Sequence, residues 1–258
     1  MISVYFSGSG NTKYCVNRLC KRIGQNIKAY SIEDEDIISK ILKEDEIIFA
    51  YPTHYSNMPY MVREFIINNK NLWKGKRIFC LVTMGLFSGD GAGCSARLLK
   101  KYGAKIMGGY HIKMPDSICD CKALKKDSIE NIRIIKNADK KIDNLANMIS
   151  NGKYPKKGIK FHNHIIGLFG QRLWFYGKTN KYYKKLKIDY DKCSGCGNCI
   201  RNCPMNNLKF DGNKVIPGDR CTMCYRCANS CPKKAITIIG NNVHSQLKIE
   251  SLLKEKVE

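Results

Sequence analysis

Apolar positions fall along the first 150 residues in two alternating patterns. Near-continuous runs of apolar, β-branched and aromatic residues at 2–6, 27–32, 46–51, 77–83 and 105–112 predict strands buried on both faces. Between them apolar residues recur at helical spacing, first at Tyr14, Val16, Leu19 and Ile23. Further helices are predicted over 36–42 and 59–68, from 93 to about 102, and over 128–149. The acidic stretch 33–36 suits the start of the second helix, and Pro59 suits a first turn. Five strand–helix units of this kind predict an α/β domain built on a doubly wound, five-stranded parallel sheet. Past residue 187 the apolar stretches shorten. Those at 208–210 and 215–216 flank Asp211 and Gly212 as a hairpin. Residues 247–257 read as a short solvated helix. The division this predicts is 1–150, a joint at 151–187, a small domain at 188–240 and a tail at 241–258.

Ligands of such sheets sit outside the carboxyl ends of the strands, and three loops occupy those ends. The first is Ser7, Gly8, Ser9, Gly10, Asn11 and Thr12, between a strand and a helix N-terminus. Glycines admit a close approach, hydroxyls donate, and the helix dipole favours an anion. A phosphate loop of the Walker type needs Lys after its last glycine, and Asn11 stands there. A dinucleotide fingerprint needs a third glycine at position 13, and that residue is Lys13. The second loop is Pro52, Thr53, His54, Tyr55, Ser56 and Asn57. The third is Thr83, Met84, Gly85, Leu86, Phe87, Gly89, Asp90 and Gly91. The pattern S-x-S-G-N-T of the first loop resembles the FMN phosphate loop of flavodoxins. The resemblance implies an FMN cradled by all three loops, with Tyr55 and Phe87 flanking its ring and the amides of 84–91 tuning it. His54 reads as a loop histidine without a catalytic role, and no catalytic residue is assigned.

Cysteine makes up 14 of the 258 residues. Eight form two identical runs: Cys193, Cys196, Cys199 and Cys203 before Pro204, and Cys221, Cys224, Cys227 and Cys231 before Pro232. Each reads C-x2-C-x2-C-x3-C-P and resembles the bacterial-type ferredoxin pattern for a pair of [4Fe–4S] clusters. On that pattern the fourth cysteine of each run serves the other cluster. Cys193, Cys196, Cys199 and Cys231 then hold one cluster, and Cys221, Cys224, Cys227 and Cys203 the other. No histidine lies between the runs to suggest zinc, and the N-terminus shows no signal peptide to suggest a disulfide framework. Gly195 and Gly197 leave room for a cluster, and the resemblance implies a small α+β domain with 187–191 as its opening strand and 235–239 as its closing strand. Of the rest, Cys15, Cys20 and Cys80 fall in helix or strand patterns as buried apolar residues, and Cys119 with Cys121 forms an isolated C-x-C pair without an assigned role.

Charge alters this picture at one place. The formal net charge is +23, and residues 151–187 carry 10 Lys or Arg and no acid. In that joint Phe161, Ile165, Leu168, Phe169, Leu173 and Tyr176 recur near helical spacing. We read this face as docking the two domains, with contact between 156–187 and a membrane surface as the alternative. His162 and His164 read as solvated. No apolar run is long enough to span a membrane, so a cytoplasmic location is expected. No helix-turn-helix or RNA-binding signature is present, and nucleic acid is not an expected partner. The whole chain resembles flavodoxin–ferredoxin fusion proteins of anaerobic bacteria and archaea. That resemblance implies a low-potential electron carrier with FMN and two [4Fe–4S] clusters, serving redox partners with acidic docking surfaces. The alternative is an iron–sulfur flavoenzyme that reduces a quinone, a disulfide or O2.

Overall fold

The computed structural model describes residues 1–24, 26–87, 89–159 and 182–256. Its larger part is a parallel sheet of five strands in the order β2-β1-β3-β4-β5. The strands are β1 (Ile2–Tyr5), β2 (Ala29–Ser31), β3 (Glu46–Pro52), β4 (Arg77–Met84) and β5 (Lys105–Lys113). The helices α1 (Asn11–Ile23), α2 (Ile37–Leu42), α3 (Tyr60–Asn68), α4 (Gly91–Lys101) and α5 (Ser128–Ser150) alternate with them.

Alternate residues of each strand enter opposite cores, as the two-residue period of a strand requires. On one face Val4, Phe6, Ile47, Phe49, Tyr51, Ile78 and Val82 pack with Ile41, Val62, Ile66 and Trp73 beneath α2, α3 and α4. On the other, Tyr5, Ile48, Ala50, Phe79 and Leu81 pack with Val16, Leu19, Ile135, Ile142 and Leu145 of α1 and α5. Burial of this kind contributes about 1.5–3 kcal/mol per large side chain, so both faces resist opening. Arg18 clamps α1 to α5 through two bonds to Asp143, at 2.9 and 2.7 Å. After α5 the chain returns along β5. Gly109 N donates to Pro155 O at 2.9 Å, and a Cβ on Gly108 would lie 2.4 Å from that oxygen, so both glycines are needed.

The smaller part holds two antiparallel pairs. Strand β6 (Lys187–Ile188) pairs with β9 (Ile236–Thr237), and β7 (Leu208–Asp211) forms a hairpin with β8 (Lys214–Pro217). Two short helices, α6 (Asn198–Arg201) and α7 (Arg226–Ser230), follow the cysteine runs. The last helix, α8 (Ile249–Glu255), departs from the sequence expectation of a solvated tail. Leu247, Ile249 and Leu252 are buried in the α1–α5 core of the larger part. Lys256 pairs with Asp139 and donates to Tyr14 Oη at 3.3 Å. The aromatic and basic positions of the joint, with His162 and His164, lie outside the described residues. Among the described residues no helix is long and apolar enough to cross a membrane.

Candidate functional site

The sheet order reverses between β1 and β3, and there a cavity of about 240 Å³ opens at the carboxyl ends of the strands. Ser7, Gly8, Ser9, Asn11 and Thr12 line it, with Pro52, Thr53, His54 and Tyr55 from the second loop and Thr83, Met84, Gly85, Leu86 and Phe87 from the third. Six positions expected there do not line it. Gly10 shapes the turn at φ 92°, and Ser56 and Asn57 belong to the second loop without lining the cavity. Gly89 and Gly91 lie past the cavity, and Asp90 is buried in an ion pair with Arg97.

Local structure explains how the second loop presents its aromatic ring. His54 and Asn57 exchange two backbone bonds of 2.9 Å, and Tyr55 and Ser56 between them have φ of 48° and 58°. This is a two-residue hairpin turn with both central residues left-handed, normally a place for Asn-Gly. A tyrosine held there carries backbone strain and stands at the loop tip. Burial pushes the His54 imidazole down to about 4, while its bond to the Thr222 backbone pulls the other way, so the ring is neutral at pH 7.

Two further groups of lining residues carry no signal in the local sequence. One is the loop after β5: Met114, Pro115, Asp116, Ser117, Ile118 and Leu124. The other comes from the far end of the chain, and consists of Met223, Cys224 and Tyr225 in the second cysteine run. Gly8 and the cysteine loop touch, because a Cβ on Gly8 would lie 2.2 Å from Cys224 O.

The eight cysteines ring two small apolar cavities. Cys193, Cys196, Cys199 and Cys231 line one, which we call outer because Cys196 is exposed. Cys203, Cys221, Cys224 and Cys227 line the other, the inner, which borders the cavity at the strand ends. Each set takes three cysteines from one run and the fourth from the other. Among the described residues no three His, Cys, Asp or Glu side chains converge to hold a single metal ion. Backbone amides point at the sulfurs instead: Asn207 N at Cys203, Ala235 N at Cys231 and Met223 N at Cys221, at 3.3, 3.3 and 3.4 Å.

A network of bonds holds the inner loop against the larger domain. Asp120, buried, accepts from Tyr225 Oη at 2.9 Å, from Ile238 N at 2.5 Å and from Ile239 N at 2.9 Å. Arg226 Nη2 donates to Ser7 O at 2.8 Å, and its guanidinium takes both oxygens of Glu33 at 2.7 Å. Asn229 Nδ2 donates to Ser117 O at 2.8 Å, and the tail binds back through Leu247 N to Asn229 Oδ1 at 2.7 Å. Cys119, of the C-x-C pair, is buried in the small domain's core, where its carbonyl accepts from His244 N at 2.8 Å.

The residues present fit the cofactors these cavities suggest. Among the described residues three buried side-chain atoms have no partner, and all three belong to cavity-lining residues: Asn11 Oδ1 at the strand ends, and Asn207 Nδ2 and Thr222 Oγ1 at the inner cysteines. Hydroxyls at one end and Tyr55, Met84, Leu86 and Phe87 along the walls suit a ligand with an anionic end and a flat apolar body. Burial pushes the Cys224 thiol up to about 12, and the amide and charge of Arg226 oppose this only in part. Burial raises the thiols of Cys221 and Cys227 as well, and thiols so buried become thiolates together around a cationic metal centre.

Comparison with known proteins agrees. Residues 2–105 match the family model of a flavodoxin domain, and residues 185–232 that of a 4Fe-4S dicluster domain. The chain therefore joins a flavodoxin domain to a 4Fe-4S dicluster domain, an iron–sulfur flavoprotein architecture with a redox role. A flavodoxin domain implies FMN, and a dicluster domain implies iron–sulfur clusters. No curated protein matches the chain. Among solved structures, the two-electron-reduced flavodoxin of Megasphaera elsdenii is 23% identical, covering 48% of this chain and 95% of its own at a TM-score of 0.40. A flavodoxin from the Archaea is 17% identical over 57% of this chain and 96% of its own, at 0.40. Oxidised Flavodoxin 2 from Bacillus cereus is 17% identical over 58% and 97%, at 0.44.

Proposed function

We propose that the chain is an electron-transfer protein holding FMN at the strand ends and one [4Fe–4S] cluster in each cysteine-ringed cavity, all within one internal relay. The observation that carries this reading is Cys224, which lines both the flavin cavity and the inner cysteine cavity. When bound, the flavin exchanges one or two electrons and each cluster one. The division at 1–150, 151–187, 188–240 and 241–258 separates the flavin module, the joint, the cluster module and the tail. Asp120, Arg226 and the tail helix fix the two modules together. The relay is therefore built in, with no need for diffusion of one module against the other.

The outer end is the place for a partner. Cys196 is exposed, Arg201 Nη2 donates to its carbonyl at 3.2 Å, and Phe210, half exposed, lies over Gly197. Lys192, Lys233 and Lys234 are exposed beside them. An arginine and an aromatic ring set among lysines suit a redox protein with an acidic docking surface. Oxygen-sensitive clusters and free thiols suit a cytoplasmic location.

Anaerobic quantification of flavin and iron, followed by reductive titration watched by absorbance and EPR, tests this reading. One FMN and about eight irons per chain, with the flavin filling through the clusters, are expected. Iron without flavin would overturn the phosphate-loop assignment. A flavin reduced by NAD(P)H or a thiol ahead of the clusters would make the chain a reductase of small molecules.

A further inference from the structure

The two cysteine runs are repeats, so their equivalent positions can be compared. Four residues past the last cysteine of each run, the backbone amide donates to that cysteine's sulfur, Asn207 N to Cys203 and Ala235 N to Cys231, both at 3.3 Å. The side chains there differ: alanine faces the outer cavity and asparagine the inner. Asn207 Oδ1 is held by Arg220 N at 2.6 Å, which leaves Nδ2 buried with no acceptor. One residue past the first cysteine, Ser194 is exposed at the outer cavity. Its inner counterpart, Thr222, is 7% exposed, and Thr222 Oγ1 has no partner. Among the described residues, none lining the outer cavity carries an unpartnered buried atom.

A buried donor left without an acceptor has lost its hydrogen bonds to water and gained none in return. Two of them on the walls of one cavity call for an acceptor inside it. We propose that Asn207 Nδ2 and Thr222 Oγ1 donate hydrogen bonds to sulfurs of the inner cluster and hold its reduction potential up. This rests on the reading that the inner cavity holds a cluster. A cluster that gains an electron gains negative charge, which water stabilises at the exposed Cys196 end and burial penalises at the inner end. Arg226 supplies little net charge there, because Glu33 neutralises it. The two side-chain donors replace the missing water. Without them the inner cluster would be the harder to reduce, and a barrier on the way to the flavin.

The test is an EPR-monitored redox titration of the full chain, with contact-shifted NMR signals of the cysteine methylenes assigning each wave to its cluster. Thr222→Val removes the hydroxyl at nearly constant volume, and Thr222→Ser keeps it. With iron unchanged, Thr222→Val is expected to shift the inner cluster's reduction equilibrium about tenfold toward the oxidised form. That is ~59 mV for a one-electron couple. The outer cluster should not move, and Thr222→Ser should restore the wild-type value. A full iron count with an unmoved inner wave, or both waves moved equally, overturns the proposal. Wild-type protein without iron overturns the underlying reading instead. Should Thr222→Val fail to load iron, Asn207→Ala copies Ala235 of the outer run and removes the donor without adding charge. It must lower the same wave alone.

Discussion

Gly195 and Gly197 in the outer cysteine loop have φ of 67° and 68°, and Met223 and Tyr225, at the equivalent places in the inner loop, have 55° and 59°. One backbone path is therefore built twice, once from the residue that adopts it freely and once from two residues that do not. The difference follows from what each loop faces. The outer loop meets water and presents Cys196. The inner loop meets the flavodoxin domain, where Met223 and Tyr225 line the cavity at the strand ends and Tyr225 Oη reaches Asp120. Strain of about 1–2 kcal/mol at each position is offset by the burial and the bond that a glycine could not make. An identical spacing of cysteines thus serves two different surroundings, and the residues between the cysteines decide which is which.

The strongest way to break this asymmetry is Asp120→Ala. It strands Tyr225 Oη and two backbone amides in the interior, each worth about 1–3 kcal/mol. Urea denaturation should show a loss of about 3–5 kcal/mol, whereas Arg201→Ala on the outer face should stay within about 0.5 kcal/mol. Equal losses would mean that the inner loop is no better anchored than the outer. Gly8→Ala comes next, because its Cβ would meet Cys224 O, a backbone atom that cannot swing aside. A loss of about 1–3 kcal/mol is expected, with at least tenfold weaker FMN binding by fluorescence titration. Unchanged affinity would show that the phosphate loop and the inner loop are not in contact.

The parallel sheet is legible in the sequence because strands buried on both faces read as unbroken apolar runs. The apolar span 46–51 predicts a strand, and Glu46–Pro52 is found. The span 27–32 shrinks to Ala29–Ser31 because that strand is the sheet edge, only half buried. The cysteine sets are equally plain from spacing. What the sequence hides are contacts made at a distance. Asp120 and Ser117 act on residues more than 100 positions away, and nothing near them marks it. The tail helix reads as solvated because Lys248, Glu250, Lys254 and Glu255 dominate it. The stripe of Leu247, Ile249 and Leu252 is the signal that points the other way. Aligning the two cysteine runs likewise sets Met223 and Tyr225 against glycines, and marks the inner loop from sequence alone.

The Arg226–Glu33 pair sharpens the comparison further, since Asn198 occupies the equivalent outer position. Both partners are about a quarter exposed, so solvent screens the pair. A double-mutant cycle with Arg226→Leu and Glu33→Gln should give a coupling of about 1 kcal/mol, falling as salt rises from roughly 0.05 to roughly 0.5 M. A coupling near zero beside a large loss for Arg226→Leu alone would assign the effect to Arg226 packing on Phe6 instead.

The smallest effect isolates the strain itself. A Cβ on Gly195 would have only Asn213 O nearby, at 3.9 Å, so Gly195→Ala changes the cost of the left-handed backbone and little else. About 1 kcal/mol of lost stability is expected, with iron content and both cluster potentials unchanged. The mirrored change, Met223→Gly, releases the same strain in the inner loop while removing a buried side chain worth about 1.5–3 kcal/mol. Its net loss should therefore be smaller than that of Met223→Ala, which gives up the side chain and keeps the strain. Reversal of that order would mean that the inner loop carries its methionine without backbone penalty. The choice between glycine and bulk would then follow from the cavity at the strand ends alone.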